Sequence, residues 1–170
     1  MAIRPIRIYG DPVLREKAAP IAAIDDGVRE IARDMLETLA DVDGVGLAAP
    51  QVGVPRRIIV VHPPPPEKDE VREEPRVLLN PEIVEKGGGA VTAEEGCLSL
   101  PGLYETVRRP DRVRVRARDL SGEDVEISAD GMAARILQHE IDHLEGVLFI
   151  DRIGPMRRAL LRKKLHAFLE

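Results

Sequence analysis

The chain contains little cysteine and few aromatic residues, and each shortage limits what kind of protein it can be. Cys97 is the only cysteine among 170 residues, so no disulfide can form within the chain. Aromatic residues make up 2% of the sequence, against 44% for all apolar types, so aliphatic side chains must build the core. The formal net charge of −5 gives no overall support for nucleic-acid binding.

Long apolar segments are missing as well. The first residues, MAIRPIRIYG, lack the apolar centre of a secretory signal. No apolar run approaches the roughly 18 residues that span a bilayer. Together with the single cysteine, these absences predict a cytoplasmic protein that does not bind membranes, and we expect a monomer. The length fits one domain that covers residues 1–170.

Helices are predicted near both ends of the chain. Asp11-Pro12 predicts a short helix that stops before Pro20, because aspartate caps helices and proline fits the first helical position. A second helix is expected over residues 25–42, and its apolar face would be Val28, Ile31, Met35, Leu39 and Val42. A long helix is expected from about Gly131 to Leu144. A last helix should follow Pro155, with an apolar side formed by Met156, Leu160, Leu161, Leu165 and Phe168.

The middle of the chain is predicted to be extended. Apolar runs or alternation predict strands at 58–61, 76–79, 82–86, 112–118 and 125–127. The glycines at 87–89 are expected to turn the chain. The proline-rich segment 62–75 is expected to be an exposed loop, with a polyproline ligand as the alternative. The predicted class is α+β, with antiparallel sheets around the helix at 131–144 and a C-terminal helix.

This central helix carries the sequence QHEIDH (138–143). His139 and His143 stand four residues apart, so both rings project from one helix face and can bind one metal ion. Glu140 lies beside them. The alternative is a surface helix with scattered polar residues, because an HExxH pattern also arises by chance.

A catalytic site built on HExxH needs a third protein ligand. Phe149 stands where one common arrangement has a histidine, and Asp151 and Glu170 fit poorly as an acidic ligand. His166 is conceivable but lies in a basic stretch. Cys97 can fill the gap, since a thiolate binds zinc or iron strongly. A small buried apolar side chain is the alternative for a lone cysteine.

Three motifs together resemble the signatures of peptide deformylases: GVGLAAPQ (44–51), EGCLS (95–99) and QHEIDH (138–143), in that order. The resemblance implies a metal-dependent hydrolase that removes the formyl group from the N-terminal formyl-methionine of nascent polypeptides and releases formate. It implies one divalent ion, with iron(II) as the native metal and zinc(II) or nickel(II) as alternatives. A water bound to that ion would attack the formyl carbon.

The resemblance also implies roles for individual residues. The metal ligands would be Cys97, His139 and His143. Glu140 would act as general acid/base. The donors to the developing oxyanion would be the side chain of Gln51 and the backbone N–H of Leu98.

The substrate is expected to lie along the small residues of GVGLAAPQ, with its backbone against Gly46. Val45, Met132 and Ile136 are candidates for an apolar pocket that takes the methionine side chain, and core packing is the alternative. Tyr104 departs from many bacterial relatives, which carry an arginine or a small residue there, so the pocket rim should differ. Glu95 is expected to pair with Arg109 or Arg108.

Basic residues concentrate in the last predicted helix, at Arg157, Arg158, Arg162, Lys163 and Lys164. By analogy with some bacterial deformylases, this helix could dock at the ribosome; a solvated face is the alternative. Two rival functions stay open. A general metalloprotease would use the same HExxH, although Phe149 argues against it. A non-catalytic metal-binding module would need the ligands but not Glu140.

Overall fold

Within residues 2–170, the part of the chain that this computed structural model describes, the strands form one five-stranded antiparallel sheet. The strands neighbour one another in chain order, so no connection crosses over another strand. They are β1 (Gly46–Ala48), β2 (Ile58–Val61), β3 (Arg76–Cys97), β4 (Leu100–Arg118) and β5 (Asp124–Asp130). The predicted α+β class is confirmed.

The long hairpin of β3 and β4 differs from the prediction. The three glycines do not turn the chain: Gly88 and Gly89 adopt φ values of +75° and +71° at a shift in the pairing with β4, so they form a bulge. β3 then continues to Cys97, and the turn lies at Leu98-Ser99. The predicted strands 76–79 and 82–86 are therefore parts of one strand.

The small-residue motif GVGLAAPQ forms more than the loop that we expected. β1 pairs with β2 and lies at the edge of the sheet, and a 3₁₀-helix over Ala49–Val52 follows it directly. The exposed loop predicted over residues 62–75 is confirmed, because no strand or helix forms there.

The helix α2 (Gly131–Leu144) has the predicted bounds and occupies the centre of the molecule. It contacts all five strands, and its buried face packs Ile136, Leu137, Ile141 and Leu144 into the core. α1 (Asp26–Asp41) begins after Asp25, whose side chain accepts a hydrogen bond from the Val28 N–H at 2.9 Å. Val42 is exposed, contrary to prediction, because it follows the last helical residue.

Short helices lie near both ends of the chain. The segment after Asp11 is a 3₁₀-helix over Pro12–Arg15. The C-terminal helix predicted after Pro155 is confirmed, but it is interrupted at Leu161, where α3 (Pro155–Leu160) and α4 (Arg162–Ala167) meet. The break divides the predicted apolar side, so Met156 and Leu160 are exposed while Leu161 and Leu165 are buried. No helix within residues 2–170 is long and apolar enough to cross a membrane.

Candidate metal centre

Three potential metal ligands meet where the end of β3 approaches α2. Cys97 is the last residue of β3, and His139 and His143 project from successive turns of α2. One ligand atom from each lies within 4.8 Å of the others, and Cys97 Sγ is 3.4 Å from His143 Nε2. The structure therefore brings together the three residues that the sequence nominated.

The chemistry of this donor set fits one transition-metal ion. A thiolate and two imidazoles suit zinc or iron and not magnesium or calcium, and three protein ligands leave room for a water or substrate. The 3.4 Å between Cys97 Sγ and His143 Nε2 suits two ligands of one ion with bonds of about 2.0–2.3 Å. Glu140 Oε1 is buried beside them without a hydrogen-bond partner among the described residues. A buried oxygen of this kind is costly unless a ligand or a water pairs with it.

The histidines differ in their surroundings. Burial and the neighbouring His139 hold the pKa of His143 well below its usual range, so its ring is neutral and able to bind a metal. Burial lowers the pKa of His139, but Glu140, Cys97 and Glu95 outweigh burial and raise it. A bound ion would have to displace that proton. The ring of Phe149 stacks on the ring of His139, with ring centroids 6.1 Å apart, so Phe149 packs against a candidate ligand.

Glu95 orients the ring of His139. Its Oε1 lies 3.0 Å from His139 Nδ1, and a carboxylate can only accept, so Nδ1 donates and Nε2 is the atom that a metal ion would bind in place of a proton. Burial raises the pKa of Glu95, but hydrogen bonds from His139 and Arg109 lower it to about 2. The expected pairing of Glu95 with an arginine is confirmed for Arg109, which donates to both carboxylate oxygens at 2.6 and 2.9 Å.

Glu140 directly follows His139 in the chain, and its side chain lines the cavity beside the candidate ligands. Burial raises its pKa to about 7, although the charge of His139 opposes the shift. A carboxyl group with a pKa near neutrality can both take and return a proton.

The amide of Gln51 is fixed in one orientation. Its Oε1 accepts a hydrogen bond from the Ala48 N–H at 2.9 Å, so Nε2 faces Ser99 Oγ at 3.2 Å and Cys97 Sγ at 3.6 Å. Gln51 is 1% exposed and cannot turn away without losing these contacts. Sequence reasoning missed Ser99, although it lies within the EGCLS motif.

A cavity of about 500 Å³ opens beside the ligands. Its lining includes nearly all the residues that the sequence nominated: Val45, Gly46, Gln51, Cys97, Leu98, Met132, Ile136, His139 and Glu140. His143 is buried and is not part of the lining. Ile136 is buried, whereas Val45 and Met132 are partly open to solvent at 40% and 56%. Tyr104 also lines the cavity and is 61% exposed, as expected for a rim residue.

Arg135 is a cavity residue that sequence reasoning missed. It lies four residues before His139 and therefore on the same helix face. That spacing was a usable signal, but an arginine on a helix is most often exposed. Here it is 8% exposed and bonds to Glu95.

Comparisons with known proteins agree on one family. Residues 3–159 match the family model described as Polypeptide deformylase. A peptide deformylase of Alkalilimnicola ehrlichii is 50% identical over 165 residues, which cover 97% of this chain and 90% of that protein. One from Thermotoga petrophila is 48% identical over 160 residues, covering 94% and 93%.

Solved structures give the same result. The crystal structure of peptide deformylase from Ehrlichia chaffeensis has a TM-score of 0.89 at 35% identity and covers 98% of this chain and 96% of that chain. The structure of the Ehrlichia chaffeensis protein in complex with actinonin also has a TM-score of 0.89, at 36% identity, and covers 98% of both chains.

Proposed function

This chain belongs to the polypeptide deformylase family and is a metal-dependent hydrolase, and we propose that its substrates are nascent polypeptides with an N-terminal formyl-methionine. Water cleaves the formyl amide, and the products are formate and a free amino terminus. The observation that carries the proposal is the grouping of Cys97, His139 and His143 within 4.8 Å beside the cavity, with Glu140 between the histidines in the chain.

Cys97, His139 and His143 would hold one divalent ion, with iron(II) as the native metal and zinc(II) or nickel(II) as alternatives. When bound, the ion supplies the positive charge that acidifies a water molecule and polarises the formyl carbonyl. Glu140 accepts the proton of the attacking water on its carboxylate and later gives it to the leaving amine. Burial raises the pKa of Glu140 to about 7 in the absence of a metal, and positioned groups of this kind contribute about 10²–10⁴ in rate.

Negative charge that develops on the formyl oxygen requires hydrogen-bond donors. Gln51 would offer Nε2, which the Ala48 contact keeps directed towards Cys97, and Leu98 would offer its backbone N–H. One donor of this kind is commonly worth about 2.7–4 kcal/mol of barrier. An amide also donates without titrating, so this role does not depend on pH.

The peptide would lie along β1, the edge strand, with its backbone against Gly46. Ile136 would form the buried inner part of the methionine pocket, and Val45 and Met132 the more open part, which fits their exposures. Tyr104 would stand at the rim.

The whole chain would form one catalytic domain that acts as a monomer. A ribosome contact through the C-terminal basic residues is a further part of the proposal. Arg157 pairs with Glu105 and Arg158 with Asp151, so Arg162, Lys163 and Lys164 are the exposed cations that remain for phosphate contacts.

Formate release from a formyl-Met peptide tests the proposed function. The purified protein is prepared without oxygen, its metal content is measured, and the same sample is given formyl-Met, acetyl-Met and unmodified Met peptides. We expect formate from the first peptide alone. Cleavage inside the unmodified peptide would favour a general metalloprotease, and a metal-loaded protein without turnover would favour a binding module.

A further inference from the structure

We propose that Arg135 is a positioning residue for the metal centre: it acts through Glu95 on His139 and joins the two elements that carry the ligands. The inference rests on the proposed function, since it concerns the same centre. Arg135 Nη1 donates to Glu95 Oε2 at 2.6 Å and to the Val107 carbonyl at 2.8 Å. Its Nη2 donates to the Val91 carbonyl at 2.7 Å.

The ligands come from two separate elements, and this arrangement has to be held in the correct geometry. Cys97 belongs to β3, whereas the two histidines belong to α2. Arg135, also on α2, reaches Val91 on β3 and Val107 on β4. The Arg135 side chain thereby connects α2 to both β3 and β4 through hydrogen bonds. The rigid planar fork of a guanidinium suits this task better than a lysine ammonium.

Arg135 acts on His139 through the carboxylate of Glu95. Its Oε2 accepts from both Arg135 and Arg109, each at 2.6 Å, and its Oε1 accepts from Arg109 at 2.9 Å and from His139 at 3.0 Å. Because both oxygens are held, the carboxylate cannot rotate freely, and the direction of His139 Nδ1 is fixed. Loss of Arg135 removes one donor from Oε2 and leaves two backbone carbonyls without that donor.

Such partners of metal ligands typically change metal affinity by about 10–100-fold when they are lost. We therefore expect Arg135→Met, which keeps the aliphatic stem and removes the N–H donors, to release metal about 10-fold faster or more. Arg135→Lys keeps the charge but not the planar fork of donors, so its rate of metal release should lie between those of Arg135→Met and the wild type. In a Glu95→Gln background, Arg135→Met should increase the rate of metal release by less than about threefold, because Arg135 acts on His139 through Glu95.

The experiment uses the cobalt(II)-loaded protein, whose visible spectrum reports ligand geometry. The rate of cobalt transfer to a chelator and the spectrum are recorded for each variant. Arg114→Met is the matched control, since Arg114 lies on β4 with exposed ion pairs to Glu85 and Glu126. Its release rate and spectrum should equal those of the wild type.

A folded Arg135→Met protein with the release rate and spectrum of Arg114→Met would overturn the inference. If Arg135→Met does not fold, a folded Arg135→Lys protein with the release rate and spectrum of Arg114→Met would overturn the inference. Nitrogen NMR of the zinc-loaded wild type gives a test without variants: zinc on His139 Nδ1, instead of a proton there, would also overturn it. Failure of the wild type to bind cobalt or to release formate would instead count against the proposed function.

Discussion

The backbone of Gly46 lies against the carboxylate of Glu140. A methyl group built on Gly46 would stand 2.5 Å from Glu140 Oε2 and 2.9 Å from its Cγ. A side chain on residue 46 would therefore force the Glu140 side chain to move. The residue nominated for substrate contact and the residue nominated for proton transfer thus constrain each other.

Gly46→Ala should displace the Glu140 carboxylate and lower kcat/KM for a formyl-Met peptide by about 100-fold, the lower end of the general acid/base range. Metal content should stay at the wild-type level. Gly87→Ala is the matched control, because a methyl group there meets no atom within 4 Å. Equal activity of both variants would show that Glu140 tolerates the methyl group or plays no part in the reaction.

Glu140→Gln should keep one metal ion per chain and lose at least about 100-fold in kcat, because an amide cannot accept the proton. Steady-state formate release together with metal analysis measures both quantities. Glu145→Gln, at the end of the same helix and with an exposed side chain, provides the comparison. Wild-type turnover in Glu140→Gln would contradict the acid/base assignment.

Activity should fall on the acid side of neutrality. The pKa of Glu140 is raised by burial to about 7 without a metal, and the charge of a bound ion would lower it, so the midpoint should lie at or below about pH 7. The carboxylate must be ionised to accept a proton, so kcat/KM should rise with pH through that midpoint. The measurement is a pH profile of the metal-loaded enzyme. A rate that stays constant from pH 7 down to the onset of metal loss would contradict this assignment.

Glu95 should make the fold sensitive to acid. Its pKa is lowered from 4.5 to about 2, so its contribution is present above about pH 4.5 and is lost as the pH falls towards 2. A shift of this size corresponds to about 3 kcal/mol of the free energy of unfolding. Urea unfolding of the metal-free protein from pH 6 to pH 3 should show the loss, and Glu95→Gln should reduce the pH dependence. Glu126→Gln, which removes an exposed carboxylate, should leave it nearly unchanged.

Local patterns predicted α2 and most of the centre, because helical spacing alone places His139 and His143 on one face. The β3–β4 hairpin could not be predicted in the same way. Gly88, Gly89 and Pro110 usually end a strand, but here the chain continues because a partner strand pairs on the far side of the bulge. That partner is distant in sequence, so no short window reveals it.

The burial of the Arg135 side chain could not be predicted from the sequence either. Arg135 has the right spacing from His139, yet its burial depends on three acceptors supplied by Glu95, Val91 and Val107. The break at Leu161 could not be predicted for a similar reason. Leu161 and Leu165 pack against core residues that are distant in sequence, and this packing decides which side of the last segment is buried.

X-ray absorption at the metal edge of the zinc-loaded protein tests the central claim most directly. One sulfur at about 2.3 Å and two nitrogens at about 2.0–2.1 Å are predicted for the wild type, with the sulfur absent and zinc largely lost in Cys97→Ala. A shell of nitrogen and oxygen alone, or full zinc content in Cys97→Ala, would contradict the claim that Cys97, His139 and His143 share one ion.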